Sequence, residues 1–257
     1  MLNEDYHANP AVNKSSLDVF AKSPWHYWMT YLNPDRPQRE STKSMQTGTI
    51  IHAAILEPEL FSRTYAVSPN CRRGTKEWEK AQAENDGKIL LKPDEMDDIL
   101  KTRDAVLTDP VAALLLKDAQ FEQSYFWQDP DTGLQCKCRP DALKDWVCDI
   151  KKTASVTPYE FQNSAAQYRY FIQAAFYLDG IFHSTGKKRD GFVFICVEDK
   201  YPYATACYMY EEEDIQYARE EYQRLLSQLK ICKENNLWPK LNEEIRQLKI
   251  PSWKKVR

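Results

Sequence analysis

The amino-acid sequence predicts an α/β domain in which helices pack on a mixed β-sheet. Helical spacing of apolar residues dominates the first part of the chain, an aromatic-rich β-meander lies in the middle, and helices and strands alternate in the remainder. The 257 residues, with 42% hydrophobic and 28% charged side chains, have the composition of an ordinary globular protein. Collagen-like and intrinsically disordered chains are therefore excluded.

The first elements are predicted to be helices. Either Ser15 or Ser16 can cap the first one, which carries Leu17 and Phe20 on its apolar face, and Pro24 can open a further helical turn. Apolar residues then recur at helical spacing in two longer segments. These predicted helices cover residues 48–60 and 93–107.

From residue 121 the spacing of apolar residues changes from the helical period to that of strands. Turn-forming residues at 129–133 and 144–145 separate three predicted strands, which together form the β-meander. A long helix, two more strands and a charged amphipathic helix follow. The three strands of the meander cover residues 121–128, 134–140 and 146–151. The long helix covers 158–182, the two further strands cover 190–197 and 203–210, and the charged helix covers 211–237.

We expect one domain over residues 1–257, because the chain shows no internal repeat and no low-complexity linker. Its parts follow the changes in apolar spacing. A helical part covers about 1–118, the meander with its helix covers about 119–182, and the final strands and helix cover about 183–257.

Charge and hydropathy exclude several classes of protein. The 35 basic and 38 acidic residues give a net charge of −3, which excludes a global polycation but is compatible with a local basic groove. The sequence has no run of 18 apolar residues that would predict a membrane span, and its first residues lack the features of a signal peptide. The odd number of seven cysteines indicates reduced thiols, and we expect a cytoplasmic protein without membrane contact.

The main chemical signal is a group of charged residues on two adjacent predicted strands. Asp141 follows Arg139-Pro140 at the end of one strand, while Asp149 and Lys151 lie two apart on the next, so that their side chains share a face. The short turn places the two carboxylates side by side, where they need a compensating cation. Oxygen ligands suit Mg²⁺ or Mn²⁺, and the lysine can act on a water or a phosphate. Solvated residues on a surface turn are the alternative.

Two helices carry further polar residues of interest. His52 lies on a mostly apolar helix beside Ala53 and Ala54, either as a metal ligand or as a hydrogen-bonded core histidine. Gln173 and Tyr177 are four residues apart on the long helix and therefore share one of its faces. Helix packing with hydrogen-bonded polar tips is the alternative for that pair.

Taken together, these motifs resemble the RecB-type branch of the PD-(D/E)XK nucleases. That branch carries G-x-x-x-H, P-D, D-x-K and Q-x-x-x-Y in this order. Here the four motifs are Gly48/His52, Pro140/Asp141, Asp149/Lys151 and Gln173/Tyr177. The runs at 52–58 and 138–141 are most similar to RecE-type exonucleases (exonuclease VIII), and the resemblance covers about residues 12–178.

The resemblance implies a restriction-endonuclease-like fold, with a central mixed sheet flanked by helices. It implies that Asp141, Asp149 and the Ile150 carbonyl bind Mg²⁺, or Mn²⁺ in its place, with His52 as a ligand or hydrogen-bond partner at a second metal position. Lys151 would serve the attacking water. The residues expected to support the site or to contact DNA are Gln173, Tyr177, Glu122 and Arg139.

The activity implied by the resemblance is Mg²⁺-dependent exonuclease digestion of double-stranded DNA ends in the 5′-to-3′ direction. The 3′ single strand would pass to a RecT-like single-strand annealing protein, and the enzyme would form a ring-shaped homo-oligomer. The alternatives are a RecB-like nuclease of CRISPR adaptation, a site-specific endonuclease and an inactive DNA-binding module on the same fold. We expect no iron–sulfur cluster, because Cys196, Cys207 and Cys232 are too widely spaced for the usual cysteine triplet.

Overall fold

The computed structural model describes residues 3–37, 40–241, 245 and 247–250. The chain begins with short helices that pack beside the later sheet. They are α1 (Asn3–Ala8), α2 (Lys14–Lys22) and α3 (Pro24–Tyr27), the last continued by a π-helical turn over Trp28–Leu32.

The predicted start of α3 is confirmed, whereas the predicted cap of α2 is wrong. Pro24 is the first residue of α3, and the Ser23 side chain caps that helix. In α2 the N-cap is Asn13, whose side chain accepts a hydrogen bond from the Ser16 amide. The Ser16 hydroxyl in return accepts one from the Asn13 amide, so that a reciprocal capping box forms with its N-cap two or three residues earlier than predicted.

A series of helices and one pair of short parallel strands connect α3 to the central sheet. These elements are α4 (Lys43–Leu56), α5 (Pro58–Thr64), β1 (Tyr65–Val67), α6 (Lys76–Glu84), β2 (Ile89–Leu91), α7 (Pro93–Thr108) and α8 (Pro110–Leu116). The helix predicted over 93–107 is confirmed. The one predicted over 48–60 begins earlier and ends at Leu56, because Pro58 disfavours a helical conformation at Glu57.

The central sheet is mixed, as predicted. The strands in this part of the chain are β3 (Gln120–Phe121), β4 (Tyr125–Gln128), β5 (Gln135–Cys138), β6 (Ala142–Leu143), β7 (Val147–Thr153), β8 (Phe192–Glu198) and β9 (Thr205–Tyr208). The sheet has the order β3-β6-β7-β8-β9, in which β7 and β8 are parallel and the other pairs are antiparallel.

The β-meander is not continuous. The strand predicted over 121–128 is interrupted at Glu122, whose backbone has a φ of 53°. As a result β3 pairs with β6 in the central sheet, while β4 pairs with β5 as a separate hairpin. The interruption takes Glu122 out of a regular strand position, and its amide bonds to the carbonyl of Asp141, which directly precedes β6.

The single helix predicted over 158–182 is also wrong. Two helices, α9 (Pro158–Gln167) and α10 (Tyr170–Thr185), are separated by Arg169 in the left-handed region, with a φ of 53°. The chain then passes through β8 and β9 into α11 (Glu212–Asn235), which agrees with the predicted charged helix.

The central sheet lies between two helical layers. Cys148 and Ile150 of β7 pack in one apolar cluster with residues of α4, α7 and α8. Val147 of β7 and Phe194 of β8 pack in a second cluster with residues of α2, α10 and α11. Because successive strand residues alternate between faces, Asp149 and Lys151 lie on the α10 side. Among the described helices, none combines the length and the hydropathy that a bilayer span requires.

Candidate active site

The turn between β6 and β7 brings the two predicted carboxylates together. Asp141 directly precedes β6, and the pairing of Ala142 with Cys148 places it beside Asp149 on β7. Asp141 Oδ2 accepts a 2.6 Å hydrogen bond from the Ile150 amide, which connects this carboxylate to the neighbouring strand. The Asp141 and Asp149 residues are only 7% and 5% exposed, so neighbouring groups must compensate their charge.

His52 reaches the carboxylates from α4. Its Nε2–H donates to the Ile150 carbonyl at 3.0 Å, and its Nδ1 lies 3.4 Å from Asp141 Oδ2. Burial would lower the pKa of His52, but the Asp141 carboxylate raises it to about 9. Burial would conversely raise the pKa of Asp141, and the His52 charge and hydrogen bond hold it below its usual value. The two side chains therefore form an ion pair.

Lys151 and Gln173 surround the second carboxylate. Lys151 Nζ lies 2.6 Å from Asp149 Oδ2 and donates a 3.0 Å hydrogen bond to Gln173 Oε1. Gln173 Nε2 donates to Asp149 Oδ1 at 2.5 Å, which closes a ring of three side chains between β7 and α10. The sequence predicts that Gln173 either supports Lys151 or contacts DNA. The hydrogen bond between the two side chains shows that Gln173 contacts Lys151.

Within this ring, burial and neighbouring charges shift the pKa values of Asp149 and Lys151 in opposite directions. Burial raises the pKa of Asp149 in spite of the nearby lysine. Burial would lower the pKa of Lys151, but the Asp149 carboxylate and Tyr170 raise it above its usual value. The lysine is therefore a fixed positive charge in this arrangement.

Tyr170 contacts Lys151 but was not among the residues predicted from the sequence. The Lys151 Nζ lies 4.5 Å from the centroid of the Tyr170 ring and 6.0 Å from that of Phe194. A spacing signal existed, because Tyr170 is three residues before Gln173 and shares its helix face.

Glu122 lies next to Asp141, and Arg139 pairs with Glu122. The Glu122 amide donates to the Asp141 carbonyl at 3.1 Å, and Arg139 Nε lies 2.7 Å from Glu122 Oε2. One ligand atom from each of His52, Glu122 and Asp141 lies within 4.8 Å of the others. Burial and the Asp141 charge raise the pKa of Glu122. Glu122 is thus a further potential metal ligand, while DNA contact by Arg139 stays a prediction.

Tyr177 lies one turn beyond Gln173 on α10. Its ring packs edge-on against Phe192 of β8, with centroids 5.8 Å apart. Burial raises the pKa of its hydroxyl well above the usual value. The predicted role of Tyr177, to support Lys151 or to contact DNA, stays a prediction.

The donor atoms of this site fit a hard divalent cation. Asp149 Oδ2 is buried and faces the Lys151 ammonium at 2.6 Å, with no further hydrogen-bond donor among the residues that the structure describes. The Asp141 carboxylate and the His52 imidazole lie at the next residue of β7, because Asp141 accepts from the Ile150 amide and His52 contacts the Ile150 carbonyl. A set dominated by oxygen with one imidazole suits Mg²⁺ or Mn²⁺. Because the imidazole binds metal only when neutral, binding would release the His52 proton.

Comparison with known proteins gives a family match and a structural match. A model of the family described as "PDDEXK-like domain of unknown function (DUF3799)" matches residues 14–251. The chain is also similar to a crystal structure from Eubacterium rectale described as a "putative exonuclease", with a TM-score of 0.68 and 16% sequence identity over 98% of this chain and 95% of that chain. No curated protein matches the chain.

The structural match confirms the predicted fold, a central mixed sheet flanked by helices. The family match spans all four motifs recognised in the sequence, from the histidine of α4 to the glutamine of α10. The family match supports a nuclease hydrolase with a divalent-metal site. The chain belongs to the family of PDDEXK-like domains, and hence to the PD-(D/E)XK nuclease superfamily.

Proposed function

We propose that this protein is a divalent-metal-dependent DNA exonuclease. The observation that carries the proposal is the convergence of Asp141, Asp149, Lys151 and His52 at one point of the sheet. Membership in the PDDEXK-like family supports nuclease chemistry at this point. The similarity to a protein described as a "putative exonuclease" supports the choice of an exonuclease within that class.

Phosphodiester hydrolysis forms a bond from phosphorus to a water oxygen and breaks the bond to one bridging oxygen, while the water loses a proton and the departing oxygen gains one from solvent. We propose that His52, Asp141, Asp149 and the Ile150 carbonyl hold Mg²⁺ or Mn²⁺, which supplies Lewis acidity and lowers the pKa of water when bound. The ion pair with Asp149 and the hydrogen bond to Gln173 hold Lys151 in place. From there its ammonium donates a hydrogen bond to the attacking water or to the phosphate oxygen that gains negative charge.

The resemblance to RecE-type exonucleases supports a more specific proposal. The substrate is the end of double-stranded DNA, digestion runs 5′ to 3′, and the product is a 3′ single strand. A RecT-like single-strand annealing protein receives that strand, and the enzyme is a ring-shaped homo-oligomer that encircles its product.

The proposal is tested with linear duplexes labelled at either the 5′ or the 3′ end and with a covalently closed duplex circle. With Mg²⁺ we expect early release of a 5′ label as short product, late release of a 3′ label, and no cutting of the circle. Cutting of the circle would instead establish an endonuclease. Duplex binding without any cleavage would establish an inactive DNA-binding module.

Metal choice provides a second test. Mg²⁺ and Mn²⁺ should support cleavage, whereas Ca²⁺ should permit DNA binding without cleavage, because its oxygen distances of about 2.3–2.6 Å exceed the roughly 2.0–2.1 Å of Mg²⁺. The measurement is the initial rate in each metal, with EDTA as the control. Full activity in Ca²⁺ or in EDTA would contradict the proposed metal site.

A further inference from the structure

The junction between α9 and α10 is held in a defined conformation close to Lys151. Arg169 occupies the left-handed region at a φ of 53°, which is unfavourable for a residue with a side chain. Lys14 Nζ donates a 2.5 Å hydrogen bond to the Tyr168 carbonyl, and the Arg169 guanidinium lies 3.0 Å from Glu221. Contacts from α2 and α11 thus hold the backbone that carries Tyr168.

Two tyrosine rings lead from Lys151 to the protein surface. The inner ring, Tyr170, contacts the lysine ammonium and packs on Phe161 and Phe194. The outer ring, Tyr168, stacks on Tyr170 with centroids 5.8 Å apart and planes 22° apart. Tyr168 is nevertheless 56% exposed, so a large part of its ring surface faces solvent.

An exposed ring in this position fits a nucleobase. Every base has a flat apolar face that stacks on an aromatic side chain, whatever its hydrogen-bonding pattern. Because the backbone at Tyr168 is already held, little conformational entropy is lost when a base stacks on it. The acidic groups next to the junction, Asp18 and Glu221, are paired with Lys14 and Arg169, which reduces their repulsion of DNA phosphates.

Resting on the proposed nuclease function, we infer that Tyr168 stacks on an unpaired base of the strand being cut and so places the adjoining phosphate at Lys151. A base inside a duplex is covered by its neighbours, so the ligand is a frayed or single-stranded end. In this assignment Tyr168 is a substrate-binding residue. Lys14 and Tyr170 are positioning residues that hold it.

The first test compares Tyr168→Ala with Tyr168→Phe, because stacking needs the ring and not the hydroxyl. Binding is measured in Ca²⁺ to a duplex whose 5′-terminal nucleotide is unpaired 2-aminopurine. We expect Tyr168→Ala to weaken binding roughly 5-fold or more, in line with the loss of one stacked base, and to abolish quenching of the fluorophore. Tyr168→Phe should retain both. The control is Tyr159→Ala on α9, where the ring is 77% exposed, and it should match the wild type.

A second test removes the base instead of the ring. An abasic site at the terminal nucleotide should weaken wild-type binding as much as Tyr168→Ala does, and the two changes together should cost no more than either alone. Additive losses, or equal quenching by wild type and Tyr168→Ala, would overturn the inference while leaving the nuclease proposal intact. Quenching that depends on Tyr168 in a protein that never cleaves would overturn the nuclease proposal alone.

Discussion

Lys151 is the site residue whose role separates most clearly from metal binding, because a cation cannot ligate Mg²⁺. We expect Lys151→Ala to lower the single-turnover cleavage rate by at least ~10²-fold, as for the loss of one donor to a developing negative charge. DNA affinity in Ca²⁺ should stay close to that of the wild type. Lys151→Arg should not restore the rate, since a guanidinium is bulkier than the compact ammonium that Asp149, Gln173 and Tyr170 enclose.

The matched control for this prediction is the next residue on the same strand. Lys152 points to the other side of β7 and pairs with Asp199 at 2.9 Å, so Lys152→Ala should cleave normally. If Lys151→Ala cleaves at the wild-type rate, or loses affinity in proportion to rate, then the lysine binds phosphate or lies outside the reaction.

Asp141 should matter for stability as well as for cleavage. Two neighbouring carboxylates repel each other, and the sequence alone therefore predicts that removing one keeps or raises stability. In the structure, however, Asp141 accepts from the buried Ile150 amide and pairs with His52. We now expect Asp141→Ala to abolish cleavage and to lower the free energy of unfolding by about 1–3 kcal/mol, because a buried donor loses its partner.

Asp141→Asn separates the two effects. The amide oxygen can still accept from Ile150, so this variant should be inactive yet lose less stability than Asp141→Ala. Urea unfolding without added metal measures the difference. An alanine variant as stable as the wild type would show that repulsion between the carboxylates outweighs the lost hydrogen bond.

At the level of secondary-structure elements, α10 approaches the β4–β5 hairpin through a glycine. A Cβ atom at Gly180 would collide with the indole ring of Trp127, which is buried beneath the helix. Gly180→Ala should therefore destabilise the protein by about 1–3 kcal/mol, because the indole must leave its place in the core. The measurement is the midpoint of urea unfolding at constant m-value.

Gly48 on α4 provides the control for that prediction. A Cβ atom there would meet nothing within 4 Å, so Gly48→Ala should keep stability or raise it by about 0.5–1 kcal/mol through better helix propensity. Equal losses for both alanine variants would contradict the proposed close approach of Gly180 to Trp127.

For the whole molecule, the net charge differs from the local charge that we expect on the surface in contact with DNA. The net charge is −3, yet we expect DNA affinity to fall steeply with salt. A channel that contacts several phosphates should give a log–log slope of about −0.9 for each phosphate neutralised. Titrations of a short duplex in Ca²⁺ between low and physiological salt measure this slope. A flat response would mean that no such channel exists.

Local patterns in the sequence were sufficient for the fold class and for the placement of three candidate site residues side by side. The strand period places Asp149 and Lys151 on one face, and the short turn places Asp141 beside them, because both depend only on residues close in the chain. His52 lies far away in sequence, and only the family pattern indicated that it belongs with the carboxylates. Its contact with the Ile150 carbonyl was not predictable from spacing.

Tertiary contacts determined the features that local sequence patterns did not predict, above all the breaks in the first meander strand and in the long helix. The left-handed conformations of Glu122 and Arg169 occur without glycine, so no residue type marked where the first meander strand and the long helix break. The second break is held by Lys14, which is 154 residues away from Tyr168. Such conformations persist only where distant parts of the chain hold them, and the propensities of neighbouring residues do not contain that information. The spacing of Tyr170 from Gln173 indicates a shared helix face, but its contact with Lys151 depends on the packing of α10 against the sheet.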